Sequence, residues 1–103
     1  MKLMTKTVRK SLPPLYATED NATAKAVVKY FDPTGACTWY ASEFDGEDIF
    51  FGFVDMGSGY DAELGYFSLS ELESIKGAWG LGIERDLHFT PTLLSDIVER
   101  YGR

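Results

Sequence analysis

The sequence predicts a single α+β domain of two layers, in which an antiparallel meander of four to five strands packs against short helices. Three observations favour this fold class. The 103 residues suffice for one domain and are too few for two, so residues 1–103 are treated as one domain. Short segments rich in β-branched and aromatic residues alternate with tight-turn signals. Helix signals occur before the first segment, after the fourth and after the last.

The first expected element is a short helix within residues 1–12. Apolar residues recur there at roughly helical spacing, namely Leu3, Met4, Val8 and Leu12. Pro13 and Pro14 should end this helix, because proline lacks an N–H and excludes its predecessor from the helical region. Leu15 and Tyr16 are then expected to pack back onto the domain.

Four strands are expected next, at residues 25–31, 37–44, 48–55 and 62–67. Pro33 and Gly35 mark the first turn, and Asp45 with Gly46 marks the second. The third strand is apolar on both faces, which predicts an interior position in the sheet. Alternation along the second strand would place Trp39, Ala41 and Glu43 on one face and Tyr40, Ser42 and Phe44 on the other.

Two further helices and one short strand complete the expected fold. Ser68 and Glu71 have the spacing of a capping box, which predicts a helix of about two turns ended by Gly77. Residues 83–89 resemble a short strand. Thr90 followed by Pro91 is typical of a helix start, so the last helix is expected to begin there.

The net charge of −6 conceals an uneven distribution along the chain. Residues 1–29 have a net charge of +4, and residues 76–103 are neutral. Residues 30–75 contain ten acids, from Asp32 to Glu73, and no Lys or Arg. Because several acids fall in hairpin turns, we expect them to cluster at one end of the sheet. Such a cluster attracts cationic surfaces and repels nucleic acid.

This acidic region is the candidate interaction site. Nine of its acids form the expected partner-binding face: Glu43, Asp45, Glu47, Asp48, Asp55, Asp61, Glu63, Glu71 and Glu73. The possible aromatic anchors are Trp39, Tyr40, Tyr60 and Trp79. For Trp79, a position in the core is favoured over an exposed one. Composition alone favours a solvated acidic surface, balanced by the N-terminal bases, over this docking face, because acidic surfaces commonly serve only solubility.

Few residues suggest chemistry. Asp45, Glu47 and Asp48 share a turn, and their carboxylates would suit Ca²⁺ or Mg²⁺, but the spacing is not that of a calcium loop. We therefore expect neither a metal site nor a cofactor. Asp86 and His88 share one face of a strand, where a structural role is favoured. Cys37 is the single cysteine of the sequence, so an internal disulfide is excluded. We expect it to be a small core residue rather than a nucleophile.

Composition also restricts the compartment and the partners. No apolar segment approaches the roughly 20 residues that span a bilayer, and no apolar signal region follows the first residues. A cytoplasmic protein without a membrane partner is expected. The acidic balance argues against direct nucleic-acid binding, except through the bases Lys2, Lys6, Arg9 and Lys10.

Four stretches of the chain carry a family resemblance. They read LPPLYATE at 12–19, TWYASEFDGED at 38–48, AELGYFSLSEL at 62–72 and IERDLHF at 83–89. Together they are similar to a small bacterial and phage family, the domain of unknown function 2958 family. The resemblance implies an accessory product of plasmids, integrative elements and phages, near transfer, replication or antirestriction genes. It implies no catalytic residue.

The predicted function is therefore that of a non-enzymatic accessory protein of a mobile genetic element. More specifically, the protein is predicted to be an acidic, DNA-mimic-like inhibitor of a host defence nuclease, of the antirestriction or anti-CRISPR type. The expected partner is a host protein with a basic surface. The alternatives are a protein-binding module of plasmid transfer or replication, and a small metal-dependent hydrolase using Glu43, Glu63, Asp86 and His88.

Overall fold

The structure of the chain, a computed structural model, describes residues 1–18, 23–57 and 61–102. Its strands are β1 (Lys25–Ala26), β2 (Val28–Phe31), β3 (Thr38–Phe44), β4 (Ile49–Asp55), β5 (Glu63–Ser68), β6 (Glu84–Arg85) and β7 (Thr92–Leu93). Its α-helices are α1 (Lys6–Ser11), α2 (Leu69–Ser74) and α3 (Leu94–Arg100). A 3₁₀ turn lies at Ala78–Gly80.

The main sheet is antiparallel and has the order β5-β4-β3-β2-β6 within these residues. Strands β2 to β5 form a meander, and β6 returns along the chain to pair with β2. This confirms the expected α+β class and the interior position of β4. The expected strand at 83–89 is shorter than predicted, because only Glu84 and Arg85 pair with β2.

The expected strand at 25–31 divides into two. The Val27 amide donates to the Ala41 carbonyl at 2.9 Å, beside β3. Before this point the chain turns away, and β1 pairs with β7 instead of with the main sheet. The segment therefore joins a separate two-stranded sheet to the meander.

Apolar residues are buried on both faces of the main sheet, in two clusters. One core contains the N-terminal apolar residues together with Tyr30, Trp39 and Phe50. The Tyr30 hydroxyl donates to the Leu3 carbonyl at 2.8 Å, and burial raises the pKa of Tyr30 above its usual range. The second core contains Tyr40, Phe53, Leu94 and Ile97, which brings α3 against the opposite face.

Strand β3 contains a β-bulge that the sequence pattern does not predict. Its register against β4 shifts between Ala41 and Glu43, so Ser42 is the additional residue. The Ser42 hydroxyl donates to the Phe51 carbonyl at 3.1 Å. Beyond the bulge the alternation reverses, and Phe44 rather than Glu43 joins the first core. The predicted faces of Glu43 and Phe44 were therefore wrong.

The helix ends follow local capping, with one exception. The Thr5 hydroxyl accepts from the Val8 amide, which starts α1 at Lys6. The capping box of α2 is confirmed on the helix side, because the Ser68 hydroxyl accepts from the Glu71 amide at 2.9 Å. The α2 helix ends at Ser74, before the expected stop at Gly77.

The expected start of the last helix at Thr90 and Pro91 was wrong. Thr92 and Leu93 pair with β1, and the Leu94 amide donates to the Ala24 carbonyl. This pairing holds the chain extended, so α3 begins only at Leu94. None of the described helices has the length and apolar character needed to cross a membrane.

Candidate functional site

The acidic side chains do not cluster at one end of the sheet, so that expectation was wrong. In a meander, successive turns lie at opposite ends. The β3–β4 turn carries Asp45, Glu47 and Asp48, whereas Asp55 and Asp61 lie at the other end of β4. Because β4 has seven residues, roughly 23 Å of strand separates the two groups.

One of the nine expected face residues is not on the surface at all. The Glu43 side chain is 2% exposed. Its two carboxylate oxygens accept hydrogen bonds from the Tyr16 amide at 2.8 Å and the Thr18 amide at 2.9 Å, and the Thr18 hydroxyl also donates to it. The bulge turns this carboxylate toward the segment that follows the two prolines, where it has a structural role.

Two of the expected aromatic anchors belong to the cores. Trp39 is 4% exposed in the first core, and Tyr40 is 8% exposed in the second. The Tyr40 ring packs against Phe53, Phe89 and Tyr101. Neither ring is available to a partner on this surface, so these two anchor assignments were wrong. Tyr60 lies outside the described residues.

The carboxylate of Asp45 organises the β3–β4 turn. It accepts from the backbone amides of Glu47 and Asp48, both at 2.8 Å, and of Ile49 at 3.0 Å. These hydrogen bonds, the Glu47 amide first, hold the pKa of Asp45 below its ordinary value. The Asp45 carboxylate therefore stabilises this turn.

We expect this turn to make stability depend on pH in the acid range. Folding lowers the pKa of Asp45, so its contribution is complete above the ordinary value of about 3.9 and is lost as the pH falls through the folded value. Urea unfolding of wild type and Asp45→Asn between pH 6 and pH 3 measures the effect. The two proteins should differ most at pH 6 and converge toward pH 3; a constant difference contradicts this.

Two further acids of the expected face are also engaged in structure. Asp48 accepts from the Ser70 amide at 2.8 Å and from the Ser70 hydroxyl, which ties the turn to the start of α2. Asp55 accepts from the Gly57 amide at 2.9 Å. Burial first, then the neighbouring Tyr40 and Asp55, raises the pKa of Tyr101 above its usual range. These carboxylates shape loops more than they form a docking face.

The remaining acids border strand β5. Glu63 opens β5, and Glu71 and Glu73 lie in α2, which begins where β5 ends. All three are exposed, and their carboxylates have no hydrogen-bond or ion-pair partner within the described part of the chain. Exposed Asp61 precedes the strand, and exposed Glu47 lies in the turn before β4.

Exposed apolar side chains lie on the same strand. Leu64 is 48% exposed and Tyr66 is 56% exposed. They pair with Phe53 and Phe51 of the neighbouring strand β4, and the rings of Tyr66 and Phe51 lie 5.1 Å apart. We call Phe51, Leu64 and Tyr66, together with the acids Asp61, Glu63, Glu71 and Glu73, the β5 edge. The sequence analysis missed Leu64 and Tyr66, although the last strand of a predicted meander must lie at a sheet edge unless another strand covers it.

Trp79 is a second exposed feature, and its favoured core position was wrong. Its side chain is 90% exposed. The Gly77 amide donates to the Leu81 carbonyl at 2.7 Å and the Gly80 amide to the Gly77 carbonyl, which closes a tight loop. Within this loop Trp79 has a φ of 60°. This is a left-handed backbone conformation that residues other than glycine rarely adopt. The loop holds the indole away from both cores.

The exposure of Trp79 predicts a specific fluorescence result. Acrylamide should quench one of the two tryptophans strongly and the buried Trp39 weakly. In the variant Trp79→Phe only the protected component should remain, with quenching reduced several-fold. If the variant is quenched as strongly as wild type, Trp79 is buried in solution.

The N-terminal bases lie close to part of the acidic region. The Arg9 guanidinium donates to the Gly46 carbonyl and lies 5.3 Å from the centre of the Phe44 ring. This contact brings α1 against the β3–β4 turn. There the positive charge of Arg9 reduces the net negative charge of the turn. Lys2, Lys6 and Lys10 are exposed and extend this basic surface.

The candidate hydrolase residues do not converge. Strands β5 and β6 are the two edge strands of the main sheet. Glu63 in β5 and His88, which follows β6, therefore lie near opposite edges of the sheet. Four strand spacings amount to about 19 Å, which is far beyond hydrogen-bond reach. Asp86 accepts from the backbone amide of His88 and lies 3.8 Å from the Lys29 ammonium. The described residues contain no group of three or more potential metal ligands.

The cleft at the β6 edge and Cys37 are two further features, and neither favours a catalytic role. An open cleft of about 400 Å³ at the β6 edge contains Lys29 and Arg85, but Glu84 and Asp86 in the same cleft balance their charges. Cys37 packs partly buried against the first core. Burial, followed by the charges of Asp32 and Asp55, raises the pKa of its thiol, which disfavours the reactive thiolate.

The fold and these surfaces define a small α+β domain with an acidic and partly apolar sheet edge. The chain belongs to the family described as Protein of unknown function (DUF2958), whose sequence profile matches residues 3–100. The family resemblance of the four sequence stretches is thereby confirmed. Neither a curated protein nor a solved structure matches the chain significantly.

Proposed function

We propose that this chain is a non-enzymatic, cytoplasmic accessory protein that binds a partner protein with a basic surface through the β5 edge. One observation carries the proposal. Exposed Leu64 and Tyr66 on one edge strand lie near Glu63, Glu71 and Glu73, whose carboxylates have no partner within the described residues, and residues 30–75 contain no Lys or Arg. Apolar anchors supply affinity at protein interfaces, and charges at their rim guide encounter and select partners.

The distribution of the acids favours a local docking edge over a uniformly acidic face. Glu43 is buried, and the carboxylates of Asp45, Asp48 and Asp55 bind backbone amides. Glu63, Glu71 and Glu73 beside β5 are therefore the acids that a partner can pair with. A basic DNA-binding channel of a host defence nuclease is one such partner. In that case the chain acts as the antirestriction or anti-CRISPR protein of a mobile element.

Matched charge reversals test the proposal. Glu63→Lys reverses an exposed charge on the β5 edge, and Glu99→Lys reverses an exposed charge in α3. The two variants change the net charge equally. A host-lysate protein retained by immobilised wild type should be lost with Glu63→Lys and kept with Glu99→Lys. Its retention should also weaken as NaCl is raised from 50 to 300 mM.

Two results would overturn the proposal. In the first, Glu63→Lys and Glu99→Lys retain the same proteins in the same amounts as wild type. In the second, the Trp79→Phe variant loses the retained protein while Glu63→Lys keeps it, which would move the interface to the Trp79 loop. For the nuclease-inhibitor form, Glu63→Lys should remove protection of a phage in a plaque assay, and Glu99→Lys should retain it.

A further inference from the structure

Among the described residues, no second strand pairs with the outer side of β5. Strand β5 lies at the end of the sheet order, and β4 is its one neighbour among the described residues. An edge strand of this kind is a template for another strand, and proteins commonly protect it with Lys, Pro or a bulge. Strand β5 has six residues, contains no Lys or Pro, and pairs with β4 without a register shift.

The register determines which groups face outward. The Leu69 amide donates to the Asp48 carbonyl at 2.8 Å, and these residues continue the β4–β5 pairing by one position. In an antiparallel pair, hydrogen-bonded and non-hydrogen-bonded residue pairs alternate. The backbone groups that face β4 are therefore those of Glu63, Gly65 and Phe67. The groups that face away from β4 are those of Leu64, Tyr66 and Ser68.

Hydrogen bonds on the far side of β4 agree with this alternation. The Ile49 carbonyl accepts from the Asp45 amide, and the Phe51 carbonyl accepts from the Ser42 hydroxyl. Both carbonyls therefore face β3, as expected for β4 residues paired with Ser68 and Tyr66 without hydrogen bonds to β5. At Leu64 the outward main chain and the exposed apolar side chain thus occur in one residue.

Charge determines which kind of strand fits this edge. Residues 61–75 contain four acids and no Lys or Arg. A second copy of the chain, itself of net charge −6, would bring like charges together along the paired strands. A segment with alternating basic and apolar residues places apolar groups beside Leu64 and cations beside Glu63. Six residues of such a segment, about 20 Å, cover the strand.

We propose that β5 binds an extended basic segment of the partner as an added antiparallel or parallel strand. This inference rests on the proposed function, since it specifies how the β5 edge binds. Main-chain hydrogen bonds supply the affinity in this mode, and the alternate side chains supply the selectivity. Leu64 contributes an outward N–H and C=O together with an apolar contact.

The probe for the test is a capped peptide of alternating lysine and valine, with a glutamate–valine peptide as control. Hydrogen–deuterium exchange of wild type with saturating lysine peptide should slow the outward amides of Leu64 and Ser68 at least tenfold. Exchange at Glu63, Gly65 and Phe67 should change little, because those amides already face β4. The glutamate peptide should protect none of them.

Two variants separate main-chain from side-chain binding. Leu64→Ala removes the side chain and keeps the N–H, and should weaken peptide binding a few-fold. Leu64→Pro also removes the outward N–H while sparing the bonds to β4, and should weaken binding at least tenfold. Circular dichroism reports whether Leu64→Pro folds. If it does not, the exchange experiment on wild type decides alone.

The outcomes distinguish the two proposals. If Leu64→Ala and Leu64→Pro weaken binding equally and no outward amide is protected, strand addition is wrong, while binding through the β5 edge stands. If Glu63→Lys also binds the lysine peptide as wild type does, the proposed function fails as well. A concentration-dependent dimer that protects the same amides without peptide would assign the edge to a second copy and overturn the basic partner.

Discussion

Gly52→Ala should destabilise the protein by at least about 3 kcal/mol, or prevent folding. A Cβ at this position would lie 1.7 Å from the Tyr40 carbonyl oxygen and 2.8 Å from the Tyr40 carbonyl carbon. Both atoms are backbone, so no side-chain movement can relieve the contact. The β3 bulge lies beside this close approach, and β3 and β4 would have to separate.

The cross-strand neighbour of Gly52 provides the control. Gly65 pairs directly with Gly52, and a Cβ at Gly65 would have no neighbouring atom within 4 Å. Gly65→Ala should therefore be neutral or stabilise the protein by up to about 1 kcal/mol, because alanine restricts the unfolded chain. Urea unfolding measures both variants. Equal effects of the two substitutions would contradict the close approach of β3 and β4.

Glu43→Ala should cost about 3 kcal/mol. The substitution leaves the amides of Tyr16 and Thr18 without their acceptor, and a buried unsatisfied donor costs about 1 to 3 kcal/mol. Tyr16 has a φ of 69°, so this carboxylate also holds a residue in a strained left-handed conformation. We expect the segment 13–18 to detach first, which limited proteolysis detects as faster cleavage there.

The exposed Glu47 is the matched control for Glu43. Glu47→Ala removes the same charge four residues away and should change the free energy of unfolding by no more than about 0.5 kcal/mol. If Glu43→Ala is as mild as Glu47→Ala, the buried carboxylate does not hold the segment. The sequence analysis had assigned both acids to one docking face, so this pair directly tests the correction.

Local patterns predicted much of the fold. Ser68 and Glu71 predicted the start of α2, and the N-terminal apolar residues are buried as their spacing indicated. The bulge at Ser42 was not predictable from the sequence. The apolar and polar residues of β3 alternate about equally well with and without one additional residue in the strand. The start of α3 was missed because Thr92 and Leu93 pair with β1, a contact distant in sequence that overrides the Thr90–Pro91 signal.

The candidate site was predicted less well, for reasons that concern burial and topology. Tryptophan is usually buried, and nothing local shows that a hydrogen-bonded loop holds Trp79 outward. An acid holds a turn or a segment in place only through backbone amides, which can lie far away in sequence. Glu43, which accepts from the Tyr16 amide, is an example. The separation of the acids, in contrast, follows from the predicted meander itself. Glu63 is exposed, and its partner-binding role stays a prediction.

The β5 edge is proposed as the surface at which this protein binds a basic partner. Chemical-shift mapping of the ¹⁵N-labelled chain with the lysine–valine peptide tests this binding. Binding at the β5 edge should give the largest shifts at residues 61–68 and at Phe51, with small shifts elsewhere. Largest shifts at Asp45 and Glu47, or at the Trp79 loop, would contradict it and place the interaction surface away from β5.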